Sequence, residues 1–171
     1  MRRLFPLLLP LLLLSACGFH LRGSRPQAEV DSVSSVYIRA ERAADLAREV
    51  TAQLKDADIE VVADPDKAEY LLTLSNSRVE RNVLSVNAQT GKAEEYQLLL
   101  TVKMSVARMS EVHAGGEPLV ADEAVQVERD YTFDEDAVLG KYSEEQVLEE
   151  EMTQLAANRI IRRLNAAARN D

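Results

Sequence analysis

The chain predicts an α+β two-layer sandwich: a mixed, mainly antiparallel four-stranded sheet with two helices packed on one face, in the order βαβββα. Three observations lead there. An early segment carries one apolar stripe at helical spacing. Three long segments then alternate with period two between short turns, and the chain closes on a long amphipathic stretch.

The elements follow in order. "VSSVYIRA" (Val33–Ala40) reads as the first strand. In "ERAADLAREVTAQLKDA" (Glu41–Ala57), Leu46, Val50 and Leu54 recur at i+4, and Ala43, Ala47 and Ala57 widen the stripe. "IEVV" (Ile59–Val62) is a brief extended piece, and Pro65 marks the loop after it. Within Tyr70–Val86, Leu72 and Leu74 share one parity and Val79 and Val83 the other, which a bulge near Asn76–Ser77 reconciles. "NAQTGK" (Asn87–Lys92) is the turn. Tyr96, Leu98, Leu100, Val102, Met104 and Val106 then alternate along a full strand. A Gly115-Gly116 turn leads to the last strand, where Val125, Val127, Tyr131 and Phe133 face one way and Gln126, Glu128, Asp130 and Thr132 the other. Ser143 and Gln146 form a capping box for a final helix running to about Ala168. Its expected buried stripe is Leu148, Met152, Leu155, Ile160 and Leu164. Acids (Glu144, Glu145, Glu149, Glu150, Glu151) crowd its start and Arg159, Arg162, Arg163 and Arg169 its end, as the helix dipole favours.

Ahead of this domain lies a leader. Arg2 and Arg3 precede a short apolar run, Leu4 to Ser15, broken by Pro6 and Pro10 and too short to span a bilayer stably. Leu14-Ser15-Ala16-Cys17 has the lipoprotein signal pattern, in which the only cysteine is lipidated and the chain is cut before it. Several acyl chains, at about 0.8 kcal/mol per buried methylene, anchor far more firmly than one. Gly18 rather than Asp follows the cysteine, which favours sorting to the outer membrane. The chain thus divides into a cleaved signal (1–16), a lipidated Cys17 with its tether (17–32) and a single α/β domain (33–171).

Composition excludes several classes. Of 171 residues, cleavage before Cys17 removes 16 and leaves 155, enough for one domain with a core. Loss of Arg2 and Arg3 takes the precursor's net −9 to −11. So acidic a chain, with no tryptophan and few aromatics, is a poor nucleic-acid binder. Neither His20 nor His113 has a Ser, Cys or second His at useful spacing, so no nucleophilic triad or zinc site is expected. A calcium loop beginning at Asp134 would place Asp136 and Glu145 at ligand positions but Leu139 where glycine is needed. Solvated acids near the helix are the better account, and neither cofactor nor metal is expected. Against this background the basic residues Arg78, Arg81, Lys92, Lys103, Arg108 and Lys141 stand out. If they cluster at one end of the sheet they form a local anion site, and exposed apolar neighbours would make its ligand an amphiphile.

"CGFHLRG" after the lipobox, "AEEYQLLLTVKMSV" (Ala93–Val106) and "EEMTQLAANRIIRRL" (Glu150–Leu164) together resemble the LptE (RlpB) family of outer-membrane lipopolysaccharide-assembly lipoproteins. The resemblance implies a compact sandwich seated inside the β-barrel protein LptD, as plug and assembly partner while lipopolysaccharide passes to the outer leaflet. It implies no enzymatic activity, and local lipopolysaccharide binding partly through basic residues. Lys141, in "LGKYSEEQ" before the final helix, falls where the family can carry a ligand-binding lysine. The turn departs from the pattern: some relatives have an arginine before "AEEYQ", where this chain reads "SVNAQTGK", so either Lys92 is a shifted substitute or the contact is absent. The lipopolysaccharide-binding candidates are therefore Lys141, Lys92, Arg78 and Arg81. Two other readings stay open. One is a stand-alone lipoprotein carrier or chaperone for amphiphiles, which needs an internal apolar cavity. The other is a calcium-dependent or hydrolytic periplasmic enzyme, resting on the acid clusters alone.

Overall fold

A computed structural model of the chain describes residues 33–132 and 138–171, the side chains of the second stretch from residue 144. The leader, Cys17, His20, Phe133 and the Asp134–Asp136 acids lie outside the described residues.

The elements are β1 (Ser35–Glu41), α1 (Ala44–Asp56), β2 (Glu60–Val61), β3 (Tyr70–Val86), β4 (Ala93–Arg108), α2 (Met109–Ala114), β5 (Val120–Thr132) and α3 (Val138–Arg169). The strands form one sheet in the order β2-β1-β3-β4-β5. The β1 pairings with β2 and β3 are parallel, and β3–β4 and β4–β5 are antiparallel. The α+β class and the mixed sheet match expectation; the counts differ. The extended piece after α1 is a fifth strand, pairing Glu60 and Val61 with Ser35 and Val36. Two residues are too few to show a period, so only pairing identifies it.

Local chemistry accounts for the boundaries. α1 ends in a Schellman motif: Asp58 adopts the left-handed conformation (φ 60°), Asp58 N–H donates to Lys55 O and Ile59 N–H to Leu54 O. The buried Ile59 that follows sets the exit direction. In β3 the register shifts between Ser75 and Arg78, where the phase change predicts a bulge. Asn76 there has φ 55°, a region its short polar side chain tolerates, and Ser77 N–H donates to Arg42 O at 3.1 Å. The hairpin turn is held by Asn87, whose Oδ1 accepts from Gln89 N–H at 2.9 Å and Thr90 N–H at 3.0 Å. Gly91 supplies the positive φ of 69°.

Two helical expectations are corrected. Residues 109–114 form a third helix, α2, which Gly115 ends at φ 74°, so the glycine pair caps a helix rather than simply joining strands. Six residues span under two turns, too short for an apolar period to register. The final helix starts at Val138, not Ser143, so the capping-box residues lie inside it and its first turn holds no acid. No proline stops the helix from extending back, and Gly140 costs only about 1 kcal/mol.

α1 and α3 cover one face of the sheet. Leu46, Val50 and Leu54 from α1 meet Val36, Leu72, Leu74, Leu100, Val102 and Met104 from the strands. From α3 come Met152, Ala156, Ala157, Ile160 and Leu164, all with no exposed area. Leu148 and Leu155 are only partly buried. Each fully buried large side chain contributes about 1.5–3 kcal/mol. The opposite face carries one small cluster at its base, Ala68, Leu71 and Met109, with Tyr37 and Val62 against it. Elsewhere that face is largely polar.

Candidate functional site

Beyond the Asn76 bulge the ladder continues from Arg78↔Thr101 to Val86↔Ala93, and the β3 residues from Arg78 to Leu84 are exposed. Val79 is 38%, Val83 54%, Leu84 48% and Val86 57% exposed, four exposed apolar side chains on one arm. Val147, on the early part of α3, is 53% exposed. This is the apolar surround that an amphiphile site requires.

At the arm's root the chain builds a polar knot. Tyr96 and Tyr131 are register partners across β4 and β5, with ring centroids 5.7 Å apart and nearly parallel planes. Arg81, on the same face, lies 4.9 Å above the Tyr96 ring and 3.6 Å from Glu145 Oε2 in α3. The Tyr131 hydroxyl donates to the same Glu145 oxygen at 3.2 Å. Hydrogen bonding with Tyr131, reinforced by Glu145, holds Arg81 more firmly protonated than usual, against the opposing effect of burial. Burial pushes the Tyr131 hydroxyl above the ordinary tyrosine range, with the Arg81 contact pulling the other way. The knot ties the arm to the start of α3. Alternation alone puts Tyr96 and Tyr131 on inward faces; their pairing with Arg81 and Glu145 needs the register.

The candidate basic residues do not form one cluster. Arg81 meets Glu145, and Lys141 lies one helical turn before Glu145 in α3. Lys141 is thus in α3, not in a loop before it, and its side chain lies outside the described residues. Arg78 points to the opposite face, where its Nε meets Glu80 Oε1 at 2.9 Å. Lys92 sits at the tip, roughly 20 Å further along the ladder than Arg81, and its carbonyl accepts from Asn87 N–H. Lys103 faces the open side beside Ser75. Arg108 is at the far end of the sheet, paired with Asp171 and donating to the Tyr70 hydroxyl at 3.2 Å. His113 faces Asp66 at 3.5 Å. Among the described residues no three or more His, Cys, Asp or Glu side chains converge as metal ligands would.

The space between sheet and helices is filled by Leu72, Leu74, Met152, Ile160 and Leu164, where a carrier would need a cavity. Two open grooves lie elsewhere. One, of about 260 Å³, lies on the open face between Leu71, Thr73, Ser105, Ala107, Val112 and Pro118. The other, of about 450 Å³, lies between α3 and β5. Among the described residues no helix is long and apolar enough to cross a membrane.

A family model described as LptE, lipopolysaccharide-assembly, matches residues 33–164. The LPS-assembly lipoprotein LptE of Pectobacterium atrosepticum is 32% identical over 166 residues, covering 95% of this chain and 85% of that protein. Its namesake in Photorhabdus laumondii is 30% identical over 169 residues, with the same coverage of 95% and 85%. Among solved structures, the rare lipoprotein B of Shewanella oneidensis has a TM-score of 0.68 at 26% identity, covering 80% of this chain and 98% of that one. A lipoprotein B from Nitrosomonas europaea shares the fold, with a TM-score of 0.66 at 21% identity over 76% of this chain and 81% of its own.

Proposed function

Since the chain belongs to the LptE family of lipopolysaccharide-assembly lipoproteins, which is non-enzymatic, we propose that it is the lipid-anchored partner and plug of an LptD-like β-barrel in the outer membrane. Residues 1–16 are its signal, Cys17 carries the acyl chains and residues 17–32 tether the domain. The tether raises the domain's effective concentration beside a membrane partner. An uncovered, mostly polar sheet face suits the wet lumen of a barrel.

The same reading assigns local lipopolysaccharide binding to the arm and the start of α3. It is supported by Val79, Val83, Leu84 and Val86, exposed on an arm whose Arg81 meets Glu145, one helical turn after Lys141. Phosphates need cationic partners, acyl chains need apolar contact, and this corner offers both. The geometry ranks the candidates. Arg81 is already engaged by Glu145 and Tyr96, so it braces the arm; Lys141 leads as the anion ligand, Lys92 follows at the tip, and Arg78 faces away.

Purification of the tagged lipoprotein from detergent-solubilised outer membrane is expected to bring down a stoichiometric large β-barrel; recovery with lipid alone would favour the amphiphile carrier. Lys141→Asp is expected to weaken lipopolysaccharide binding without loss of fold, because an acid near a helix start suits the dipole. Unaltered affinity would remove Lys141 from the site.

A further inference from the structure

We propose that the groove between α3 and the free edge of β5 binds a phosphate monoester group through Arg159, Arg162 and Arg163. The groove, of about 450 Å³, is lined by these three arginines with Glu123, Val125 and Gln126 among the β5 residues. Spacing of i, i+3 and i+4 sets the arginines on one face of α3. Buried Ile160 and Leu164 hold that part of the helix down.

Two of the arginines are held in place. Arg159 Nη1 donates to the Gln126 carbonyl on the strand's outer edge, and Arg163 Nε donates to Glu123 Oε1 at 2.8 Å. A guanidinium carries five N–H donors, so one contact orients each without exhausting it. Arg162 is exposed and in no ion pair among the described residues. Three cations and Glu123 leave the groove about +2 on a chain of net −9, and a phosphate monoester carries about −1.5 to −2 at neutral pH. A single carboxylate would leave part of that charge unmatched.

The helix dipole does not explain the cluster. Its effect is confined to the last turn, which Arg169 occupies, whereas Arg159 lies nearly three turns earlier. Addition of an acidic strand to β5 is disfavoured. Arg159 already takes the Gln126 carbonyl, and Asp122 (φ 47°), beside a register shift, bends the edge. The groove is open and mainly polar, so it suits a headgroup rather than an acyl chain. It lies roughly 20 Å along β5 from Tyr131, and the proposal does not depend on the arm site.

The test is titration of the full-length lipoprotein in detergent with inorganic phosphate, read at the arginine Nε–H resonances by NMR. Saturable shifts at Arg159, Arg162 and Arg163 are expected, with affinity about tenfold lower in Arg162→Gln and partly restored in Arg162→Lys. Repeating the reading in phosphatidylcholine bilayers with and without phosphatidic acid separates the sources. A shift with phosphatidic acid assigns a lipid headgroup, and a shift with free phosphate alone assigns a soluble phosphorylated sugar. Shifts no different from those with chloride, or unchanged affinity in Arg162→Gln, would overturn the site. Binding of a glutamate-rich peptide with none of phosphate would also overturn it and assign the groove to a protein partner.

Discussion

Along the β3–β4 hairpin, the half below the Asn76 bulge and the half above it share strands and pairing but not surroundings. Below it, Leu72 and Leu74 face Val106 and Met104, and all four are at most 1% exposed. Above it, Val79 and Val83 lie on the same side of the sheet, opposite Leu100 and Tyr96, yet are 38% and 54% exposed. The pattern is alike; the cover is not. A pleated strand presents its apolar face wherever it runs, and only a helix laid across that face makes it core. Where that face stays exposed, an apolar residue adds little to stability and is free to meet a ligand or a second protein.

Three tests break or sharpen this contrast. The largest effect is expected below the bulge: Leu74→Ala should cost about 2–5 kcal/mol in urea unfolding, whereas Val83→Ala should stay within about 0.5 kcal/mol. Similar losses at the two positions would mean that the arm is buried in the folded protein after all. At the boundary, Asn76→Val forces a β-branched residue into the left-handed region and should cost about 1–2 kcal/mol, while Asn76→Gly should be nearly neutral. Equal destabilisation by both would show that the asparagine side chain, not the backbone conformation, holds the bulge. The smallest stability effect belongs to Val83→Asp with Leu84→Asp, about 0.5 kcal/mol or less. This pair should nevertheless lower lipopolysaccharide affinity, measured on immobilised protein, and retained affinity would take the apolar arm out of the proposed site.

Periodicity carried most of the fold. The apolar stripe of α1 lies where i+4 spacing puts it, and the parity switch in β3 marks the bulge to the residue pair. Two of the errors share one cause. A two-residue strand and a six-residue helix are shorter than the period that would reveal them. The final helix began earlier than a capping box suggested, because a good cap sequence can equally sit inside a helix. The small Ala156 and Ala157, fully buried, do not declare themselves as core by hydropathy.

For the sites the division is sharper. The lipobox pattern around Cys17 is legible in the order of residues alone, because the recognition it implies acts on a linear segment. The basic candidates are legible as residue types but not as a site. Alternation puts Arg78 and Arg81 on opposite faces; register and the bulge decided that Arg81, not Arg78, takes the face that meets α3. The path of α3 decided that Arg81 meets Glu145, and that Arg159, Arg162 and Arg163 line the β5 edge instead of dispersing into solvent. Chain order determined the long elements, their apolar faces and the lipobox pattern, since these depend on near neighbours and on period. Only the tertiary structure decided which faces were covered and which charges shared a groove. Those outcomes depend on residues tens of positions apart, and a one-residue shift in register would have reversed them.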